Sequence, residues 1–114
     1  FFDRHGTVNT IESQQPPLGL APGFIRPFES EIGLQTGGLL LLMTDGITEA
    51  PATHEVPRSK LTMFGDQRAL DTVRAYRQCS AEEITEQLLQ RAREFTDDRT
   101  QDDDMTMVVV KVLD

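Results

Sequence analysis

The run Leu39-Leu40-Leu41-Leu42-Met43, leading into Thr44-Asp45-Gly46-Ile47-Thr48-Glu49-Ala50, constrains this chain more than any other segment. Its five apolar residues are too few for a helix of ordinary length and read as a buried strand. The strand stops at an acid followed by glycine, so a carboxylate is held where rigid backbone hands over to a loop. Such a position fixes a functional group while leaving it accessible. An ordinary Asp-Gly turn would use the same residues, since both are turn formers.

A second acid cluster shifts the balance toward chemistry. Asp102-Asp103-Asp104 stands directly before Met105-Thr106-Met107-Val108-Val109-Val110-Lys111-Val112-Leu113. The β-branched content predicts a strand there, apolar on both faces and therefore largely buried. One acid thus leaves a core strand and another enters one. If the two strands run antiparallel in one sheet, the carboxylates converge at the same end. Gathered carboxylates repel each other unless a cation compensates, and hard oxygen ligands at partly open positions suit Mg²⁺ or Mn²⁺. A solvated acidic loop is the plain alternative for Asp97, Asp98, Asp102, Asp103 and Asp104.

Position excludes two rival motifs. A phosphotransferase with an aspartyl nucleophile would need a second Asp two residues before Asp45, where the chain has Met43. An EF-hand loop starting at Asp97 needs alternating oxygen ligands, a central Gly and a Glu at the twelfth position. The chain offers Arg99, Asp102 and Val108 there instead.

Taken together, Thr44-Asp45-Gly46-Ile47-Thr48-Glu49-Ala50, Phe64-Gly65 and Asp103-Asp104-Met105-Thr106 resemble the C-terminal half of a SpoIIE/RsbU-type phosphatase domain. That group is the bacterial branch of the metal-dependent protein phosphatase 2C (PPM) family. Pro17-Leu18-Gly19-Leu20 is similar to the element that precedes the Asp-Gly strand in the same group. The resemblance spans nearly the whole chain. It implies dephosphorylation of phosphoserine or phosphothreonine, often on an anti-sigma-factor antagonist, and a four-layer α/β/β/α sandwich.

By the same resemblance, Asp45 and Asp103 fall on the two acids that bind one metal of a pair, Mn²⁺ or Mg²⁺. Gly46 lets the backbone turn without a Cβ near the site. Asp104 falls on a more variable position, where N-capping or a supporting hydrogen bond is implied. The metals would activate a water for attack on phosphorus, with no side-chain nucleophile. Two departures stand out. Gly37-Gly38 replaces the usual Gly-Asp before the strand, losing a turn side chain but no ligand. The Asp-Gly pair that binds both metals in the family, and its glycine-rich element, have no counterpart in residues 1–114. With Phe1-Phe2 at its start, the chain is expected to be one partial domain, the C-terminal portion, inactive by itself.

Composition narrows the partners. A formal charge of −8 on 114 residues argues against a nucleic-acid surface and against an anionic membrane. A single cysteine, Cys79, excludes an internal disulfide and fits a reducing cytoplasm, where it serves as a small packing residue. No apolar run reaches membrane-spanning length.

The remaining segments supply the scaffold. Residues 1–3 and 7–11 read as a short hairpin around His5-Gly6, Gln14 to Gly23 as a broken connector, and Phe24 to Glu31 as a strand. Pro51 to Met63 reads as a long surface loop. Asp66 is placed to cap a helix with Leu70, Val73 and Tyr76 on one face. Ser80 and Glu83 form a capping box for a second helix striped by Ile84, Leu88, Ala92 and Phe95. This order predicts an α+β fold with helices on one side of an antiparallel sheet. Half a sandwich leaves an inner face and sheet edges uncovered, so a homodimer or exchange of elements between copies is expected. Two function classes remain: a metal-dependent phosphatase domain, or a non-catalytic interaction module that keeps the scaffold.

Overall fold

Strand β1 (Leu39–Met43) pairs antiparallel with β2 (Met107–Lys111), in a register that sets Leu39 opposite Lys111 and Met43 opposite Met107. The structure is a computed structural model and describes residues 1–13, 16–17, 19–20, 23, 31–52, 62–97 and 103–113. Between the strands come a single helical turn, α1 (Asp45–Thr48), and two longer helices, α2 (Gly65–Tyr76) and α3 (Ala81–Phe95). The helices cover one face of the two-stranded sheet, so the fold is α+β as the sequence predicts.

Alternation along the strands decides what is buried. Leu39, Leu41 and Met43 from β1, with Met107 and Val109 from β2, point into the helical layer. There they meet Val73 of α2 and Ile84, Leu88 and Ala92 of α3, none of which has any solvent exposure. The opposite face carries Leu42, Val108 and Val110, which are 54%, 49% and 44% exposed. The expectation of strands buried on both faces is therefore corrected: only the face toward the helices is covered among the described residues. Apolar residues on both faces signal that both can be buried, but a packing layer must exist on each side for this to happen.

The N-terminal turn adds a third, minimal rung. Phe2 bridges antiparallel to Val8 and, on its other side, to Leu39, so the predicted hairpin exists as isolated bridges rather than strands. The Asp3 carboxylate accepts from the backbone N–H groups of His5 (2.8 Å) and Thr7 (2.9 Å). Those bonds, the one from Thr7 foremost, hold its pKa below the ordinary value. Apart from Glu31, the strand predicted from Phe24 to Glu31 lies outside the described residues.

Helix α3 begins as its sequence requires. Ser80 Oγ accepts from the N–H of Glu83 (3.1 Å), and the Glu83 carboxylate accepts from the N–H of Ser80 (3.0 Å). Helix α2 differs from expectation. Gly65 takes a left-handed φ of +77° and turns the chain into the helix, so Asp66 stands inside the first turn instead of capping it. Its charge still faces the positive end of the helix dipole. The two helices are joined near their outer ends by an edge-on contact between Phe64 and Phe95 (5.7 Å between ring centroids). Arg68 lies over the Phe95 ring at 4.7 Å while donating to the carbonyls of Met63 and Phe64. The predicted loop from Pro51 to Met63 is pinched at its base by a bridge between those two residues; positions 53–61 lie outside the described residues. No described helix is long and apolar enough to cross a membrane.

Candidate metal centre

Because β1 and β2 are antiparallel, the residue that leaves one strand and the residue that enters the other share an end of the sheet. Asp45 follows Thr44 at the exit of β1, and Asp103 and Asp104 lead into β2. The chain does not enter a loop after β1, as its Asp-Gly sequence predicts, but folds at once into α1. Ile47 and Ala50 are buried in the core beneath this turn. They anchor it, so Asp45 is displayed in solvent from a fixed base.

Gly46 brings the second acid pair close. A Cβ built at this position would run into the carbonyl oxygen of Asp104, lie 3.0 Å from its carbonyl carbon and 3.5 Å from that of Asp103. Any side chain would push the two acid-bearing segments apart, so glycine is required here by contact alone, its backbone being that of α1. On the other side of Asp45, the Thr44 N–H donates to the carbonyl of Thr106 (2.9 Å) and carries the ladder one residue past β1. The Thr44 hydroxyl donates to the Asp104 carbonyl (3.1 Å) and accepts from the N–H of Thr106 (3.0 Å). The structure thus sets Gly46 against the backbone of Asp103 and Asp104 and ties Thr44 to Asp104 and Thr106, with Asp45 between the two tied residues. No helix starts at Asp104, which rules out a capping role; it contributes its main chain, donating its N–H to Asp103 Oδ1 at 2.7 Å.

The donor set decides which cation would fit. Asp45, the first residue of α1, and Asp103, ahead of β2, would offer hard carboxylate oxygens, and both are exposed. Among the described residues no hydrogen bond occupies the Asp45 carboxylate. No group of three or more His, Cys, Asp or Glu side chains there could hold a metal ion. Two carboxylates suit a hydrated cation such as Mg²⁺ or Mn²⁺, which keeps several waters, and suit poorly an ion that demands a full protein cage. Asp98 and Asp102 lie outside the described residues. The role of Thr44 escaped the sequence reading. Its signal was a hydroxyl residue set between an apolar strand and Asp-Gly, at a point where the ladder has to end.

The described residues thus form an α+β arrangement with acid-bearing segments at one end of an antiparallel pair and a glycine pressed against the facing backbone. The family model described as Stage II sporulation protein E (SpoIIE) matches residues 1–113. The chain belongs to the SpoIIE family, and is a domain of phosphatase type. Comparison with curated proteins and with solved structures returned no match.

Proposed function

We propose that this chain is the part of a metal-dependent phosphoserine/phosphothreonine protein phosphatase that contributes Asp45 and Asp103 to one ion of a Mn²⁺ or Mg²⁺ pair. The observation that carries this reading is the meeting of the two acid-bearing strand ends across Gly46. When bound, the ions supply a water activated for in-line attack on phosphorus and neutralise phosphoryl charge. The chain's own residues hold the ligands. Ile47 and Ala50 root α1 in the core, Gly46 admits the Asp104 backbone, and the Asp104 N–H orients the Asp103 carboxylate.

Family membership supports a phosphatase-type domain in sporulation or sigma-factor regulation; beyond that we propose that it acts in the cytoplasm on a phosphorylated anti-sigma-factor antagonist. The uncovered apolar face of the sheet supports a further layer there, as the expected four-layer sandwich requires.

The test is made in the protein that carries this domain. Release of phosphate from a phosphoserine protein should depend on added Mn²⁺, and Asp45→Ala or Asp103→Ala should abolish it. Both residues are exposed, so each variant should melt within about 0.5 kcal/mol of the wild type. Turnover retained by Asp45→Ala would overturn the reading. A wild-type protein with no phosphatase activity would favour the interaction module.

A further inference from the structure

Thr44 occupies the N-cap position of α1, yet its side chain makes no capping bond. Threonine at such a position ordinarily spends its hydroxyl on the first turn of its own helix. Here the main chain and side chain have exchanged tasks. The Thr44 carbonyl turns out of the sheet and accepts from the N–H of Ile47 (3.3 Å), starting the helical turn. That leaves the N–H of Thr106, the residue just before β2, without the carbonyl an antiparallel pair would offer it. The Thr44 hydroxyl takes the vacant place, accepting from Thr106 N–H (3.0 Å) and donating to the Asp104 carbonyl (3.1 Å).

We infer that Thr44 is a positioning residue, a two-ended latch that lets β1 convert into α1 while keeping the Asp103–Asp104 segment locked to Asp45. The inference rests on the metal reading of those two acids for its functional part and on hydrogen bonds alone for its structural part. The hydroxyl is the one group at position 44 that can both give and receive. Valine matches threonine in shape but leaves Thr106 N–H and the Asp104 carbonyl without this partner, whereas serine keeps both bonds. With the latch gone, Asp45 stays anchored through Ile47, but the facing acids lose their tie at the point where Gly46 requires close approach.

The test uses the isotope-labelled chain with two readouts. Without metal, exchange of the Thr106 amide should be about tenfold faster in Thr44→Val than in wild type, with the amides of β2 unaffected. Thr44→Ser should restore the wild-type rate, and Thr44→Ala, which opens space rather than filling it, should repeat the valine result. With Mn²⁺, paramagnetic broadening of the Gly46 and Asp104 amides should need about tenfold more metal in Thr44→Val and about the wild-type amount in Thr44→Ser. Unchanged Thr106 exchange in Thr44→Val would overturn the latch. Faster exchange with unchanged Mn²⁺ affinity would overturn the positioning role. If the wild-type chain shows no broadening, Asp45 and Asp103 form no ion site by themselves, and the service of Thr44 to metal ligands in this chain falls.

Discussion

Between α2 and α3 the side chains of Ala69, Val73, Ile84, Leu88 and Ala92 have no solvent exposure, whereas Thr44, Asp45, Asp103 and Asp104 at the end of the sheet are all exposed. The first region is held by close packing, which is non-directional and roughly proportional to apolar area removed from water. The second is held by a few directed hydrogen bonds and one backbone-to-backbone approach at Gly46. Packing supplies the stability, and hydrogen bonds supply the geometry. Substitutions in the two regions should therefore fail differently, the first by unfolding the chain and the second by misplacing acids on a chain that remains folded.

The largest effect should come from the packed side. Leu88→Ala leaves a cavity under both strands and should cost about 2–5 kcal/mol. Urea unfolding followed by circular dichroism measures it, and a loss below about 1 kcal/mol would mean that the core is not closed around α3.

Gly46→Ala comes next and belongs to the other region. The new methyl meets the Asp104 carbonyl, and relieving that overlap should cost about 1–3 kcal/mol. What separates it from Leu88→Ala is where the change is felt. Amide shifts should move at Asp103 and Asp104 and in α1, and stay put in the second half of α3. A uniform change across the molecule would erase the distinction between packed and positioned regions.

Ser80→Ala removes the oxygen that caps α3 and should cost about 1 kcal/mol in the same urea experiment. It probes a directed bond that serves stability alone, so Mn²⁺ broadening at Gly46 should be unaffected.

The smallest effect is a pH dependence from the same cap. Ser80's N–H, and then its hydroxyl, hold the Glu83 carboxyl below its ordinary pKa. A depressed folded-state value means that this contribution is fully present above the ordinary carboxylate range and is lost as pH falls through the depressed value. Melting temperatures recorded from about pH 6 down to about pH 3 should fall more steeply for the wild type than for Glu83→Gln. Parallel curves would assign the acid sensitivity to other carboxylates, such as Asp3, whose N–H partners depress it in the same direction.

Much of this was legible in the linear sequence because it depends on local spacing. The capping box at Ser80 and Glu83, the stripe of Ile84, Leu88, Ala92 and Phe95, and the apolar run Leu39–Met43 each need only neighbours within a few residues. Other features were read incompletely for a physical reason. Asp66 looked like a cap because its side chain suits one, but the left-handed backbone at Gly65 moved the cap to Phe64 and the start of the helix two residues earlier. The strands looked buried on both faces because their composition is apolar throughout, and composition cannot say how many layers pack against a sheet.

By itself the sequence determined the element types of α2, α3, β1 and β2, the chemical character of the two acid clusters, and the resemblance that the family match agrees with. Tertiary structure alone decided that Met43 faces Met107, which brings Asp45 and Asp103 to the same end. It also decided that Gly46 lies against the Asp104 backbone and that the Thr44 hydroxyl reaches Thr106, 62 residues away in the chain. Strand register is set by which faces find a packing partner and by the bonds that close the ladder. Those are properties of residues far apart in sequence, and they exist only once the chain has folded.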